Sequence, residues 1–293
     1  MKIKQDNLIL VFSHFILILA SLCCIIPFAT LIVASITSEN YLLAHGYSFI
    51  PRAISFEAYI YLARQASTIF RAYGITILVT AVGTTISLFI TCLLAYPLSL
   101  PNLPARKVFS FFVVFAMLFN GGLVPTYILY TQYFHIKDTL LALIVPGLML
   151  RVFNVLLVKS YFMTSIPIEL IEAARIDGFT ETNTLFKIVL PLSKPILATV
   201  GLMSGLNYWN DWYNGLIYLN DSKLYSLQVL LNSILKNVQY LSNNDVVATV
   251  QTQLPATSVR MAIAAIAVIP ILIIYPFCQK YFIKGIAMGA VKG

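Results

Sequence analysis

The sequence predicts an all-α, polytopic membrane protein with six transmembrane helices. Three observations carry that prediction. First, 59% of the 293 residues are hydrophobic and only 10% are charged, where a soluble domain carries roughly 25% charged residues. A soluble core cannot hide that much apolar surface, so the bilayer has to act as solvent. Second, six runs, at about 8–36, 72–100, 108–131, 139–163, 195–219 and 258–280, reach the roughly 20 mostly apolar residues a span needs. Third, the positive charge is arranged by side. With the N-terminus inside, eleven of the 19 Lys and Arg fall in inner segments, seven fall in outer ones, and Arg151 falls within a span. This bias predicts a plasma-membrane protein with both termini in the cytoplasm. It also makes the net charge of +8 a matter of orientation and no sign of nucleic-acid binding.

The first run is too long for a signal peptide and lacks a small-residue cleavage site, so it reads as a retained span, kinked at Pro27. Residues 37–71 form an outer segment with a short amphipathic helix near 55–65. Residues 1–71 therefore stand as a leading span and segment before a core of five spans over 72–281, and 282–293 form a tail. In the second run Gly74, Gly83, Thr84, Thr85 and Ser87 offer small-residue surfaces for close packing. Pro97 and the stretch 101–104 end it, and Arg106 and Lys107 anchor an inner turn. The third run contains Asn120-Gly121-Gly122 and then Pro125, a local weakness that reads as a hinge or kink. His135 to Asp138 form an outer turn. The fourth run carries Arg151 near its middle, with Asn154 close by. A midplane cation costs roughly 3 kcal/mol or more unless paired or wet, so Arg151 is expected to face the bundle interior. Cys23, Cys24, Cys92 and Cys278 lie in apolar runs without metal-ligand spacing, and imply neither a metal nor a disulfide.

The loop 164–194 cannot sit in hydrocarbon, because it carries Glu172, Arg175, Asp177, Glu181, Lys187 and Lys194. Pro167 can open a helix there, with Ser165 as a capping candidate and Glu169 and Glu172 near the positive end of the dipole. Gly178 marks a bend, and Thr180 can cap a second short helix whose apolar side runs from Leu185 to Leu190. Pro191 and Pro195 close the segment. At the spacing in which they stand, Glu172-Ala173-Ala174, Asp177-Gly178, Ile188 and Leu190-Pro191 resemble the EAA loop of ABC importer permeases. The resemblance implies a type I importer permease fold, and a loop that docks into a groove on a separate ATPase and transmits its motion. The stretch FNGGLVPTYIL at 119–129 is similar to the branch of that family that carries complex oligosaccharides. The ending QKYFIKGIAMGAVKG resembles the G subunit of maltose permeases, whose tail reaches the ATPase dimer. That implies ATPase contact by Lys284, Gly289 and Lys292. It further implies four kinds of partner besides lipid: a second permease of the same fold, two ATPases that bind ATP and Mg in place of any cofactor on this chain, an extracellular sugar-binding protein, and a sugar.

The fifth run concentrates Asn207, Tyr208, Trp209, Asn210, Asp211, Trp212, Tyr213 and Asn214. Aromatic faces and side-chain amides and carboxylates are what a path tolerant of sugars wants; an aromatic belt at the outer interface is the competing reading, and Tyr213 and Tyr218 fit it. Asn120, Arg151, Asn154, Asn207, Tyr208, Trp209, Asn210, Asp211 and Trp212 are the candidate pathway residues. Counted from the outer ends of their runs, Arg151 and Asp211 differ in depth by only about 6 Å, so an ion pair between them is expected. The alternative is that Arg151 reads an acidic sugar. Residues 220–257 make a long outer loop in which Leu224, Leu227, Leu230, Leu231 and Ile234 recur at helical spacing. By the resemblance, this loop meets the binding protein.

No phosphate-cradling G-x-x-x-x-G-K-[ST] loop, H-E-x-x-H, G-x-S-x-G or Cys/His cluster occurs, so the chain reads as a non-catalytic subunit. The alternatives are a permease of this architecture for another solute and, more distantly, an ion-coupled carrier, a class that often shows an inverted repeat not evident here.

Overall fold

A computed structural model describes residues 2–243, 257–270, 272, 273 and 276. The regular elements among them are helical, joined by an isolated antiparallel bridge between Thr37 and Ile54. They group into two compact units: one takes the chain up to Ser67 with Ser233–Leu272, the other takes Thr68–Asn232.

In the first unit, α1 (Lys2–Ser35) is apolar on every side from Leu10 onward, and none of that most apolar stretch is buried inside the chain. Such a surface fits lipid or another protein chain and not water. Pro27 sits within it without ending it. The chain then turns through α2 (Glu39–His45) and α3 (Glu57–Arg64), the latter within the predicted 55–65. The Ser35 and Tyr59 hydroxyls, 2.8 Å apart, tie α3 back to the end of α1. Buried Glu39 accepts the backbone N–H groups of Thr257 and Ser258, each at 2.8 Å, and the Ser258 hydroxyl at 2.9 Å. Those N–H groups open the apolar helix Thr257–Pro270 and have no partner within it. A carboxylate from elsewhere in the chain thus satisfies them at the positive end of the dipole. The rest of the sixth predicted run, Cys278, the polar stretch 244–253 and the tail with Lys284, Gly289 and Lys292 fall largely or wholly outside the described residues.

The second unit is built along α4 (Ala66–Ser99). Pro97, expected to end the second run, lies inside the last turn of α4, and the helix runs on to Ser99. Toward that end Cys92, Ala95, Tyr96 and Leu98 pack with Val155, Val158 and Phe162 of α8 (Val152–Ser165) and with Ile196 and Val200 of α12 (Lys194–Trp209). Toward its start a second core joins Val79 to Ala142, Leu143 and Ile144 of α7 (Leu141–Ile144), with Tyr208 and Tyr218. The α4–α12 contact is close. A Cβ on Gly83 would stand 2.5 Å from the Tyr208 ring, so only glycine fits there without movement. Asn154, fully buried, donates from Nδ2 to Ser204 Oγ at 3.1 Å and ties α8 to α12.

Three runs are broken: the third at the hinge or kink expected at 120–125, and the fourth and fifth, which were expected to be continuous. In the third, α5 (Arg106–Leu118) and α6 (Leu123–Tyr133) meet at 109°. Gly122 takes φ +86 at the break, which glycine adopts without strain. In the fourth, α7 ends before Pro146 and Gly147 (φ +69), and α8 starts only at Val152. Arg151 is therefore not in mid-helix as predicted; it is extended backbone (φ −108, ψ 114) directly before α8. In the fifth, α12 stops at Trp209 and α13 (Tyr213–Tyr218) follows a short gap. By length and composition, α4 and the Leu10–Ser35 part of α1 can each cross a bilayer alone, and three further candidates are bent pairs.

At the turn after Leu123–Tyr133, Asp138 accepts the backbone N–H groups of Asn220 and Asp221. α14 (Leu227–Asn243) is the amphipathic helix expected in the loop 220–257, with Leu227, Val229, Leu230, Leu231 and Ile234 buried.

Candidate functional sites: a bent loop and a cavity at the helix breaks

The polar loop folds as two helical pieces. α9 (Ile168–Ile176) leaves α8 at 80°, and Glu181–Leu192 meets α12 at 85°. Ser165 does not cap α9: it is the last residue of α8, and α9 starts behind Pro167 with no side-chain cap. Nor do the prolines close the segment. Pro191 lies in the short helix α11 (Leu190–Leu192), and Pro195 is in the first turn of α12, where its missing N–H has no partner to lose. The other local signals hold. Gly178 bends the chain at φ +81, and Thr180 accepts from the Asn183 N–H to start α10 (Glu181–Thr184).

Glu181 joins three elements. Its Oε1 accepts from Arg175 Nε at 2.8 Å, and its Oε2 accepts from the Tyr96 hydroxyl of α4 at 2.7 Å. Burial pushes its carboxyl up, but the two hydrogen bonds and the Arg175 charge outweigh burial and hold it below the ordinary value. Around this joint Ala174, Leu185 and Val189 are buried, Ile188 and Leu190 are half-buried, and Glu172, Ala173, Asp177, Gly178 and Pro191 are exposed. The loop also holds apolar side chains in the open: Ile176 is 86% exposed, and Leu170, Phe186 and Leu192 stand out beside it.

The three breaks open onto one cavity of about 440 Å³, lined by Asn120, Gly122, Thr126, Pro146, Arg151, Asp211, Tyr213, Asn214 and Tyr218 among others. Freed backbone at membrane depth survives only when other groups satisfy it or it lines a wet cavity, and here side chains do much of that. Asn120 Oδ1 accepts the Gly122 N–H, Asp211 Oδ1 accepts those of Tyr213 and Asn214, and Asn214 Nδ2 donates to the Pro146 carbonyl at 2.9 Å. Of the predicted pathway residues, Asn120, Arg151 and Asp211 come together at this cavity. Asn154, Tyr208 and Trp209 are buried, and the Tyr208 hydroxyl donates to the Ile144 carbonyl. Asn207 and Asn210 bond carbonyls of their own helix, and Trp212 is exposed against Tyr213. The expected Arg151–Asp211 ion pair is not formed. Arg175–Glu181 is the ion pair present among the described residues. The reason is the break: Asp211 turns one oxygen onto the start of α13, and Arg151 lies outside a helix. Tyr218 is not in an interfacial belt; it is 2% exposed and stacks on Tyr127. Tyr213 and Asn214, from the polar stretch of the fifth run, also line the cavity, and Thr126 joins them without a signal in the sequence, because only the folding of the breaks brings it there.

Comparison with known proteins bears on both sites. Residues 4–288 match the family described as "binding-protein-dependent transport system inner membrane component". The polygalacturonan/rhamnogalacturonan transport system permease protein YtcP of Bacillus subtilis (strain 168) is 36% identical over 277 residues, 94% of this chain and 96% of YtcP. Protein LplC of the same organism is 38% identical over 272 residues, 92% of this chain and 90% of LplC. A chain in the crystal structure of a bacterial ABC transporter involved in the import of the acidic polysaccharide alginate is 30% identical, with a TM-score of 0.79 over 95% of this chain and 98% of that one. The fold is thus that of a type I importer permease, a non-catalytic membrane subunit, and the chain belongs to the family of inner-membrane components of binding-protein-dependent transport systems.

Proposed function

We propose that this chain is one of two permease subunits of an ATP-driven importer for oligosaccharides or polysaccharide fragments, forming half of the pathway. The observation that carries the reading is the cavity at three helix breaks, lined by amides, hydroxyls, aromatic rings and two charged groups, the chemistry that sugars are bound by. The names of YtcP and of the alginate transporter support a carbohydrate cargo. In this reading Asn120, Arg151, Asn154 and the stretch Asn207–Trp212 belong to the pathway and its wall. Six spans put both termini in the cytoplasm, with 1–71 preceding a core over 72–281. The loop 164–194 docks on an ATPase through Glu172, Ala173, Ala174, Asp177, Gly178, Ile188, Leu190 and Pro191, and its exposed Ile176 fits burial against a partner. Lys284, Gly289 and Lys292 meet the ATPases, which bind ATP and Mg, and an extracellular binding protein delivers the sugar to the loop 220–257. Co-purification from membranes tests this. An ATPase and a second permease should accompany the chain, and sugar uptake into vesicles should need internal ATP. Uptake that follows an ion gradient without ATP would mark an ion-coupled carrier instead.

A further inference from the structure

The seam where α4, α5 and α8 meet carries an apolar groove with cations at one end. The groove, about 420 Å³, is lined by apolar side chains alone. α5 offers Phe109, Val113 and Ala116 to it at helical spacing, and α8 offers Val152 and Val155. Phe109 and Phe112 are more than half exposed, so the groove stands open. The same spacing, carried on toward one end, reaches Arg106 on α5 and Lys159 on α8. Arg106 crosses the seam. Its Nε donates to the carbonyl of Leu98, itself a lining residue, at 3.0 Å, and its Nη2 to Sδ of Met163, one turn beyond Lys159, at 3.3 Å. Lys159 Nζ donates to Ser110 Oγ, beside Phe109, at 3.3 Å. Both cations keep donors to spare, and neither is ion-paired among the described residues. Glu169 shares a neighbouring cleft with Arg106 without pairing to it. The first turn of α5 holds no acid, so Arg106 and Lys107 stand at the positive end of that helix, where an anion is favoured. A sugar has no use for an apolar groove, and a bare acyl chain has none for two cations. A phospholipid with an anionic headgroup uses both, and basic pockets between spanning helices take such headgroups. We propose that this seam binds one anionic phospholipid, with an acyl chain along the groove and the phosphate on Arg106 and Lys159. From Phe109 to Ala116 the groove face of α5 runs about 10 Å, so it holds part of one chain and leaves the other in the bilayer. The proposal is independent of the cargo.

The test uses the full chain purified in detergent with the subunits that accompany it. Native mass spectrometry counts bound lipid as phosphatidylglycerol or phosphatidylcholine of the same acyl chains is added. The wild type should bind phosphatidylglycerol more tightly than phosphatidylcholine. Arg106→Gln and Lys159→Gln should each weaken phosphatidylglycerol binding about fivefold, as expected for loss of one cation beside the phosphate, and leave phosphatidylcholine unchanged. Lys159→Arg, which keeps the charge, should keep the binding. Ala116→Trp adds bulk at an exposed position, so it should fill the groove and weaken both lipids. Glycerol phosphate, a headgroup without chains, should not compete at equal concentration. Displacement by it, with Ala116→Trp binding phosphatidylglycerol normally, would make this a site for free phosphate and overturn the proposal. Equal binding of the two lipids by the wild type, or phosphatidylglycerol binding unchanged in both glutamine variants, would also overturn it and leave the groove to a helix of another chain.

Discussion

Glu181 fastens the bent loop to α4 by a single carboxylate, which makes it the residue where loop and span can be separated by chemistry. Tyr96→Phe removes one buried donor and keeps the ring, so it should cost about 1 kcal/mol and lower the thermal midpoint of the detergent-solubilised protein. The pH dependence follows from the sign of the shift. The folded carboxyl titrates below the ordinary 4.5. Its contribution is therefore complete above about pH 4.5 and is lost as pH falls through the lowered folded value. The midpoint difference between wild type and Glu181→Gln should be largest at neutral pH and shrink below pH 4.5; a difference that grows on acidification would contradict the network. The same scale separates what the sequence reveals from what it hides. Gly178 and Thr180 act on their own backbone neighbours, so bend and cap are legible in the chain. Glu39 caps a helix 218 positions away, and nothing near Glu39 in the sequence announces it.

At the scale of elements, the α4–α12 contact is set by Gly83 against the Tyr208 ring. Gly83→Ala gains helix propensity but puts a methyl group into an aromatic ring. The clash should win, at about 1–3 kcal/mol, read as a lower midpoint of unfolding. Gly74→Ala is the control, because a Cβ there meets nothing within 4 Å and should be neutral or slightly stabilising. The first five apolar runs each contain helix, and so does the described part of the sixth, but hydropathy reads the fourth and fifth as continuous, because apolar content measures solvent preference and not backbone continuity. The breaks were only partly signalled. Asn120-Gly121-Gly122 announces its own; Pro146 and Gly147 sit at the second, where Gly147 takes φ +69, and the break after Trp209 depends on Asp211 capping α13, a choice a polar residue in an apolar run does not advertise. That is why Arg151 and Asp211 looked like partners at equal depth and fold as separate groups on one cavity wall.

At the scale of the whole molecule, the loop and the cavity lie in one compact unit; α4 bonds the loop through Tyr96 and Glu181 and, through Val79, shares a core with the cavity residues Leu148 and Tyr218. If the loop is the ATPase contact, a change on its exposed face should leave the cavity intact and disconnect it from ATP. Glu172→Lys reverses a charge on exposed surface, so the complex should still assemble while sugar-stimulated ATP hydrolysis falls several-fold. Full stimulation and transport in that variant would take the loop out of the coupling role. Gly178→Val should act in the same direction by a different route, through a backbone angle that a branched residue adopts only with strain.

That angle carries one more consequence. At Gly178 φ is +81, and a Cβ built there meets no atom within 4 Å. The site is therefore closed to ordinary side chains by handedness and not by crowding. A residue of mirror-image chirality has its comfortable region at positive φ, so D-alanine introduced at position 178 by semisynthesis should keep the bend, and should even stiffen it by narrowing the unfolded chain's freedom. L-alanine, with the same atoms, should not.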